Sequence, residues 1–513
     1  MPALPEDSHF TLGYSLTDNL LHSLINLYNI HVAMKIESQN TDTTLLLVKS
    51  HAAYDRLQTL ITDPLGTKFF VEKSPVDGQV EFEKQIERTT ALLNFFGNPQ
   101  DKYHSIHVAG TGGKGSVTTM IGALLVEAGF KVGIHTSPFL QVPNEKLLIN
   151  GKMIPPSRFI DLTENFMDGL EDFSDENPNL KPKYGEAWVA LTHLYFAGEK
   201  VDWGIIETGC GGRYDPTNVL NPEVSVITNI DFDHVARLGS TLAAIASHKA
   251  GIIKNDTPVV TAERKPESLE VIRNEAAVKQ AKILCAGKDF SFKIKSLTSK
   301  GSRVDVFTPF GNFNDIDINL PGVFQPENAA TAITAVQVAA ARKQFTLSME
   351  SISNALKLLK FPGRMEIVQD GPTVILDGAH NPQKMEALAQ SLSETFNQLP
   401  YTLIVGMLAT KDASGSLQPI LKNARRVIVT SPNILGKPSI GPDRMKSIVE
   451  SLAPTQEVKA FDNVKLAIAF AKETSATNDL IVVTGSIYML GEARDLWFPS
   501  EDLLIEAEYG NKN

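Results

Sequence analysis

The stretch His107-Val-Ala-Gly-Thr-Gly-Gly-Lys-Gly-Ser116 carries the clearest chemistry in the chain. A short apolar run, Ser105–Ala109, precedes it, and a helical pattern, Ser116–Ala128, follows. In such a strand-to-helix turn, Gly110, Gly112, Gly113 and Gly115 let backbone N–H groups converge on phosphate oxygens without Cβ clashes. Thr111 lies among them, and the helix N-terminus adds partial positive charge. Lys114 can reach a β- or γ-phosphate, and the Ser116 hydroxyl can ligate Mg²⁺. The spacing is not the standard G-x-x-x-x-G-K-[ST], because Gly115 separates the lysine from the serine. ATP with Mg²⁺ is the expected ligand; the alternative is a glycine-rich turn that binds nothing.

Other polar groups recur where apolar runs end. Glu207 closes the run Val201–Ile206, the position at which open α/β sheets place ligands. Its hard carboxylate oxygens suit Mg²⁺. Arg213 and Asp215 follow in a glycine turn and can reach a substrate. His234 ends Asn229-Ile-Asp-Phe-Asp-His and reads either as a core histidine or as a ligand sharing an ion with Glu207. On their own, Ser137-Pro138 reads as a turn after a strand, Lys249 as a surface lysine and Asn328 as a helix-start residue. Asp377-Gly-Ala-His-Asn-Pro382 places Asp377 at a strand end and opens a helix at Asn381-Pro382.

These strings, taken in order, resemble the folylpolyglutamate synthase and dihydrofolate synthase family of the Mur ligase superfamily. Gly110-Thr-Gly-Gly-Lys-Gly-Ser116 is similar to its G-T-N-G-K-G-S loop, and His135-Thr-Ser-Pro-Phe-Leu140 to its T-S-P-H-L element. Ile206-Glu-Thr-Gly-Cys-Gly-Gly-Arg-Tyr-Asp-Pro-Thr-Asn218 is similar to E-x-G-x-G-G-R-x-D-A-T-N. Leu238–Ile252 resembles L-G-x-T-L…E-K-A-G-I, and Gly322–Asn328 resembles G-x-H-Q-x-x-N. The resemblance covers about residues 50 to 500. It implies an ATP-dependent amide ligase that adds L-glutamate to a folate or pteroate carboxylate through an acyl phosphate. It implies that Ser137, Glu207 and His234 hold Mg²⁺ and that Lys249 is open to carbamylation. It further implies that Asn328, Arg364 and Asp377 serve the nucleotide. Asp215, Pro216 and Thr217 would border the pterin, and His380 would face the glutamate and the acyl phosphate. Five positions depart from the family pattern: Gly112 for Asn, Phe139 and Phe324 for His, Pro216 for Ala, and His248 for Glu. A superfamily ligase with a non-folate acceptor, or an inactive nucleotide-binding homologue, are the alternatives.

The elements that must position these residues alternate along the chain. Apolar runs Val224–Ile230, Pro258–Thr261, Val374–Leu376, Thr402–Val405, Arg426–Thr430 and Leu480–Thr484 predict buried strands separated by helices. Val304–Pro309 and Asp315–Leu320 predict a hairpin around Gly311-Asn312. The expected fold is α/β: a P-loop-type Mur ligase central ATPase domain with a mostly parallel sheet at 51–360, then a Rossmann-like α/β domain at 361–513. Residues 1–50 read as an extension, with a short helix carrying Leu20, Leu21, Leu24 and Leu27, a loop over Glu37–Thr44, and Met34 as an alternative start.

Composition narrows the function classes. A 513-residue chain with 42% hydrophobic and 21% charged residues is neither disordered nor fibrous. Its 48 basic and 59 acidic residues give a net charge of −11, which excludes a general nucleic-acid coat. Two cysteines, Cys210 and Cys285, exclude a disulfide scaffold and point to a reduced, cytoplasmic setting. No apolar run is long enough to span a bilayer. The first residues, with Glu6 and Asp7, are too acidic for a secretory or transit signal. Small-molecule substrates and a monomer are the expectation, with no nucleic-acid or membrane partner.

Overall fold

A computed structural model describes residues 41–67 and 75–510. Its first sheet has eight strands: β1 (His104–Ala109), β2 (Val132–His135), β3 (Leu148–Ile149), β4 (Lys152–Met153), β5 (Trp203–Glu207), β6 (Val224–Ile227), β7 (Val259–Thr261) and β8 (Ile283–Cys285). Their order is β4-β3-β2-β5-β1-β6-β7-β8. The six strands from β2 to β8 run parallel, and only the β2-β3-β4 edge is antiparallel. Helices cover both faces, which is why the strands read as continuous apolar runs. Ile106, Val108, Ile205, Val224 and Val226 are fully buried.

An antiparallel three-stranded sheet follows, built from β9 (Ser291–Thr298), β10 (Gly301–Thr308) and β11 (Gly311–Ile318). The hairpin expected around Gly311 is present. β9 has no counterpart in the expectations, because its side chains are mostly exposed and form no apolar run.

The second large sheet holds β12 (Glu366–Gln369), β13 (Thr373–Leu376), β14 (Tyr401–Val405), β15 (Ala424–Val429), β16 (Val458–Ala460) and β17 (Leu480–Thr484). Its order is β12-β13-β17-β14-β15-β16, parallel apart from β12. The fold is thus α/β with two mostly parallel sheets, as the sequence predicts.

One helix, Thr41–Gln58, runs unbroken through residue 50, where the sequence suggested a boundary. Residues 41–44 are helical rather than loop. Ala53 and Leu57 are buried in a cluster with Phe159, Trp188 and Phe196, so this helix belongs to the apolar layer beside the first sheet. The helix expected around Leu20–Leu27 lies outside the described residues.

The two large sheets meet through specific contacts. Glu145 accepts from the amides of Leu140, Gln141 and Val142 at 2.6, 3.0 and 3.2 Å, fixing the loop after β2. That loop rests on the helix Ile487–Arg494: a Cβ at Gly491 would lie 2.0 Å from Leu140 O. Arg494 donates to both carboxylate oxygens of Glu366 and to Gln141 Oε1. Beyond these, Gly436 N–H donates to Pro64 O at 2.7 Å.

His107 and His193 are fully inaccessible, and burial pushes both imidazoles down to about 3. Once unfolded, a histidine takes up its proton near pH 6.5. The stability these two groups contribute is therefore complete above about pH 6.5 and is lost as pH falls toward 3. Each costs about 1.4 kcal/mol per pH unit in mid-window. Urea midpoints measured from pH 7 to 4.5 are expected to decline, and His193→Gln, which keeps a partner for Tyr103, to flatten that decline.

Candidate active site

The turns after β5, β1 and β6, three adjacent strands, supply the first half of the site. Gly110 has φ 147°, and a Cβ there would come within 1.8 Å of Thr228 Oγ1. Gly113 has φ 78° and backs onto Asn328, whose Oδ1 would lie 2.5 Å from a Cβ. Thr111 N–H donates to Asn229 O and Gly112 N–H to Asn229 Oδ1, each at 2.8 Å. These two amides support the loop itself, which corrects the expectation that they face phosphate. The first helical bond runs from Val117 N–H to Gly113 O at 2.9 Å. The amides of Lys114, Gly115 and Ser116 precede it and are the helix's open donors. The open amides thus lie in the first helical turn rather than along the whole glycine loop.

Glu207 is buried, and Lys114 Nζ stands 3.8 Å from its Oε1 while Ser137 N–H donates to its Oε2 at 3.1 Å. Burial pushes the Glu207 carboxyl up, against the pull of Lys114, the Ser137 amide, Arg364 and Lys384. Gly115 lies between this carboxylate and the Phe361 ring, 3.5 and 2.8 Å from where a Cβ would stand. Among the described residues no three His, Cys, Asp or Glu side chains cluster as a metal cage. Mg²⁺ does not need one: a carboxylate or two, hydroxyls and substrate phosphates are its usual partners. Glu207, with Ser137 beside it and Ser116 on the adjoining helix, fits that donor set. His234 takes φ 51° at the start of the helix Val235–Leu238, and its side chain is 45% exposed. Burial, with the cations Lys411, Lys114 and Lys249, holds its imidazole down to about 3 despite Asp233, so the ring is neutral and able to ligate.

Lys249 is no surface lysine. It is 3% exposed, and Nζ donates to Gly110 O at 2.8 Å. Burial, helped by Lys114, lowers its ammonium to about 7. Asn328 is likewise no helix start, because Phe324 caps that helix.

The second half of the site comes from carboxyl ends of the other sheet. Asp377 accepts from the amides of Met365 and Ala379, at 2.9 and 2.8 Å, and so shapes the turn after β13. Arg364 donates to Gly363 O at 3.1 Å and lies over the Phe361 ring. His380 Nδ1–H donates to Gly378 O at 2.8 Å, which leaves Nε2 as an acceptor, 3.1 Å from Lys384 Nζ. Asp233, after β6, receives these groups across the cleft. Lys411 Nζ is 2.5 Å from its Oδ1; Asn381 Nδ2, Lys384 Nζ and His380 Nε2 are 3.3, 3.7 and 3.9 Å from Oδ2.

Asp233, Lys384 and Lys411 are absent from the sequence-based site. Two of them carried a signal. Asp233 precedes His234 at a strand end, and Lys384 lies in the first turn of the helix that opens just after His380. Lys411 is in the loop after β14, a carboxyl end that only the sheet order reveals.

The string Arg213–Thr217 is brought close and is tied together by internal bonds. The Arg213 guanidinium is held by Glu275 Oε2 at 2.7 Å and Ser247 O at 3.2 Å. Asp215 Oδ1 accepts from Thr217 N–H and Oγ1–H, and Oδ2 from Cys210 N–H. Pro216 opens the following 3₁₀ turn, and Thr217 Oγ1 pairs with His107 Nε2 at 2.8 Å. The charged and hydroxyl groups expected at substrate also hold this loop in shape.

The departures pack well. Phe139 meets the Tyr54 ring edge-on at 5.8 Å, Tyr54 and Tyr184 pair through their hydroxyls at 3.1 Å, and Lys146 lies 4.5 Å over Trp188. His248 sits against Phe82 and Tyr214, each at 5.8 Å. Gly112 leaves space for the Asn229 amide that supports the loop.

Two family models match the chain: the Mur ligase middle domain over residues 108–336 and the Mur ligase glutamate ligase domain over 363–487. A folylpolyglutamate synthase of Lacticaseibacillus casei is 34% identical over 407 residues, covering 79% of this chain and 93% of that protein. The chain belongs to the folylpolyglutamate synthase family. A Bacillus subtilis dihydrofolate synthase/folylpolyglutamate synthase is 32% identical and covers 82% of this chain and 97% of its own. The solved Mycobacterium tuberculosis folylpolyglutamate synthase complexed with ADP superposes with a TM-score of 0.79, at 28% identity, over 88% of this chain and 99% of that one.

Gly113→Ala places a Cβ at a left-handed φ and against Asn328. Strain of about 1–3 kcal/mol at such a residue is expected to weaken ADP binding roughly tenfold or more, read by calorimetry, with little change in secondary structure by circular dichroism.

Proposed function

We propose that this protein uses ATP to join L-glutamate to the carboxylate of a reduced folate. The observation that carries the reading is the meeting of two sets of strand ends. The phosphate-binding turn with Lys114 and Glu207 comes from one sheet, and His380, Lys384 and Lys411 come from the other.

A carboxylate is a poor electrophile, so the γ-phosphoryl group is first transferred to it. That step needs positioning and charge neutralisation. The first-turn amides and Lys114 orient the triphosphate. Mg²⁺, when bound by Glu207, Ser137, Ser116 and His234, supplies further charge neutralisation. His380, Lys384 and Lys411 of the second sheet then face the acyl phosphate, and the amine of glutamate attacks its carbonyl carbon. The cleft between the sheets keeps water from the activated acyl group.

The acceptor rings have a candidate wall in Phe139, Tyr54, Tyr184 and Trp188, which border the Ser137 loop. Such a wall suits a flat heteroaromatic acceptor. Lys249, half neutral near pH 7 through burial, has the free amine that carbamylation requires. Dihydropteroate offers similar rings, and the B. subtilis relative carries both activities in its name. We take the protein to act on these small molecules as a cytoplasmic monomer.

Purified protein with Mg-ATP and L-glutamate is expected to release phosphate and add one glutamyl mass to tetrahydrofolate. The same gain on dihydropteroate would establish the second acceptor; product on neither would sink the folate reading. Lys114→Ala is expected to lower kcat at least about 100-fold while the protein stays folded, since it withdraws charge from the transferring phosphoryl group.

A further inference from the structure

Glutamate reaches the acyl phosphate as an ammonium ion, and an ammonium has no lone pair with which to attack. A nearby group must take a proton. His380 Nε2 is already engaged with Lys384 Nζ at 3.1 Å, its tautomer fixed by the bond from Nδ1–H to Gly378 O. Lys384 is on the helix Pro382–Thr395, which opens directly after the His380 turn. Its Nζ projects between His380 and Asp233, toward the phosphate turn.

Charged and titratable groups surround it from every side. Asp233 faces it from the turn after β6, Lys114 from the first nucleotide helix and Glu207 from the end of β5. Lys411 faces it from the turn after β14, and Arg364 from the segment before β12. Asp233 favours the ammonium form of Lys384. Burial first, then Lys114, Lys411 and Arg364, oppose it and bring it down to about 7. An amine so placed exchanges protons readily near neutrality. Asp233 itself is saturated by the closer Lys411, at 2.5 Å, and is held far below the usual carboxylate range, so it is no base.

We propose that Lys384 is the proton acceptor for the incoming amino group, with His380 Nε2 orienting it. The proposal rests on the ligase reading above and deepens it. In the step, the glutamate ammonium gives one proton to the neutral Lys384 amine. The freed lone pair forms the N–C bond at the acyl carbon. The C–O bond to phosphate breaks, and its electron pair leaves with the phosphate. A second nitrogen proton passes to the departing phosphate, and Lys384 returns its own to solvent. The products are the amide, hydrogen phosphate and one proton.

The experiment compares two nucleophiles in wild type, Lys384→Met and Lys384→Arg. Hydroxylamine is largely uncharged at pH 7.5 and captures an acyl phosphate as a hydroxamate without a base; L-glutamate needs one. Both variants are expected to keep far more of their hydroxamate formation from tetrahydrofolate and Mg-ATP than of their glutamate transfer. Both are expected to lose roughly 100-fold or more in kcat for glutamate. The loss should shrink as pH rises from 7 to 9. Arginine keeps the charge but cannot release a proton, so recovery of glutamate transfer in Lys384→Arg would overturn the proposal in favour of a purely electrostatic role. Equal loss with both nucleophiles would overturn it too, as would a pH-independent defect. Wild-type protein that forms neither hydroxamate nor glutamyl product from any pterin acceptor would instead remove the ligase reading on which the proposal stands.

Discussion

One carboxylate, Asp233, is the point at which the two large sheets become one site. It is only about 8% exposed and belongs to the first sheet, yet apart from the neighbouring His234 its close partners, Lys411, Asn381, Lys384 and His380, come from the second. A buried charge of this kind persists only when it is paired and hydrogen-bonded. Relative placement of the two halves is therefore an electrostatic requirement. Separate the sheets, and Asp233 loses its compensation at the same moment as the cations lose theirs.

The same arrangement accounts for the division of labour. Parallel strands leave their carboxyl ends open to ligands. The first sheet brings the glycine turn, Lys114 and Glu207 together at three neighbouring ends; the second uses the ends after β13 and β14 to present lysines and a neutral histidine. Neither half holds both an activated acyl group and the means to deprotonate its attacker.

Much of this was legible in the residues. Glycines at 110 and 113 are required by backbone that passes within contact of Thr228 and Asn328, and a glycine-rich string is how a sequence states such a requirement. Glu207, Asp377 and His380 stood at ends of apolar runs, so their strand-end positions could be read directly. Arg213, Asp215 and Thr217 show what a sequence string leaves out. Polar residues in a conspicuous string look like ligand contacts, but these also bond to Glu275, Cys210 and His107, partners 62, 5 and 110 positions away. Lys411 is the opposite case: nothing beside it in sequence announces a partner 178 positions distant. β9 escaped because its exposed, polar faces leave no apolar trace.

The loop that carries Ser137 has a mechanical role as well. Glu145 locks it internally, and the helix Ile487–Arg494 presses on its far side, with no space for even a methyl group at Gly491. Leu140 thus lies between that helix and the Ser137 peptide that donates to Glu207, so the outer layer of the second sheet bears on the end of β5 through a single loop.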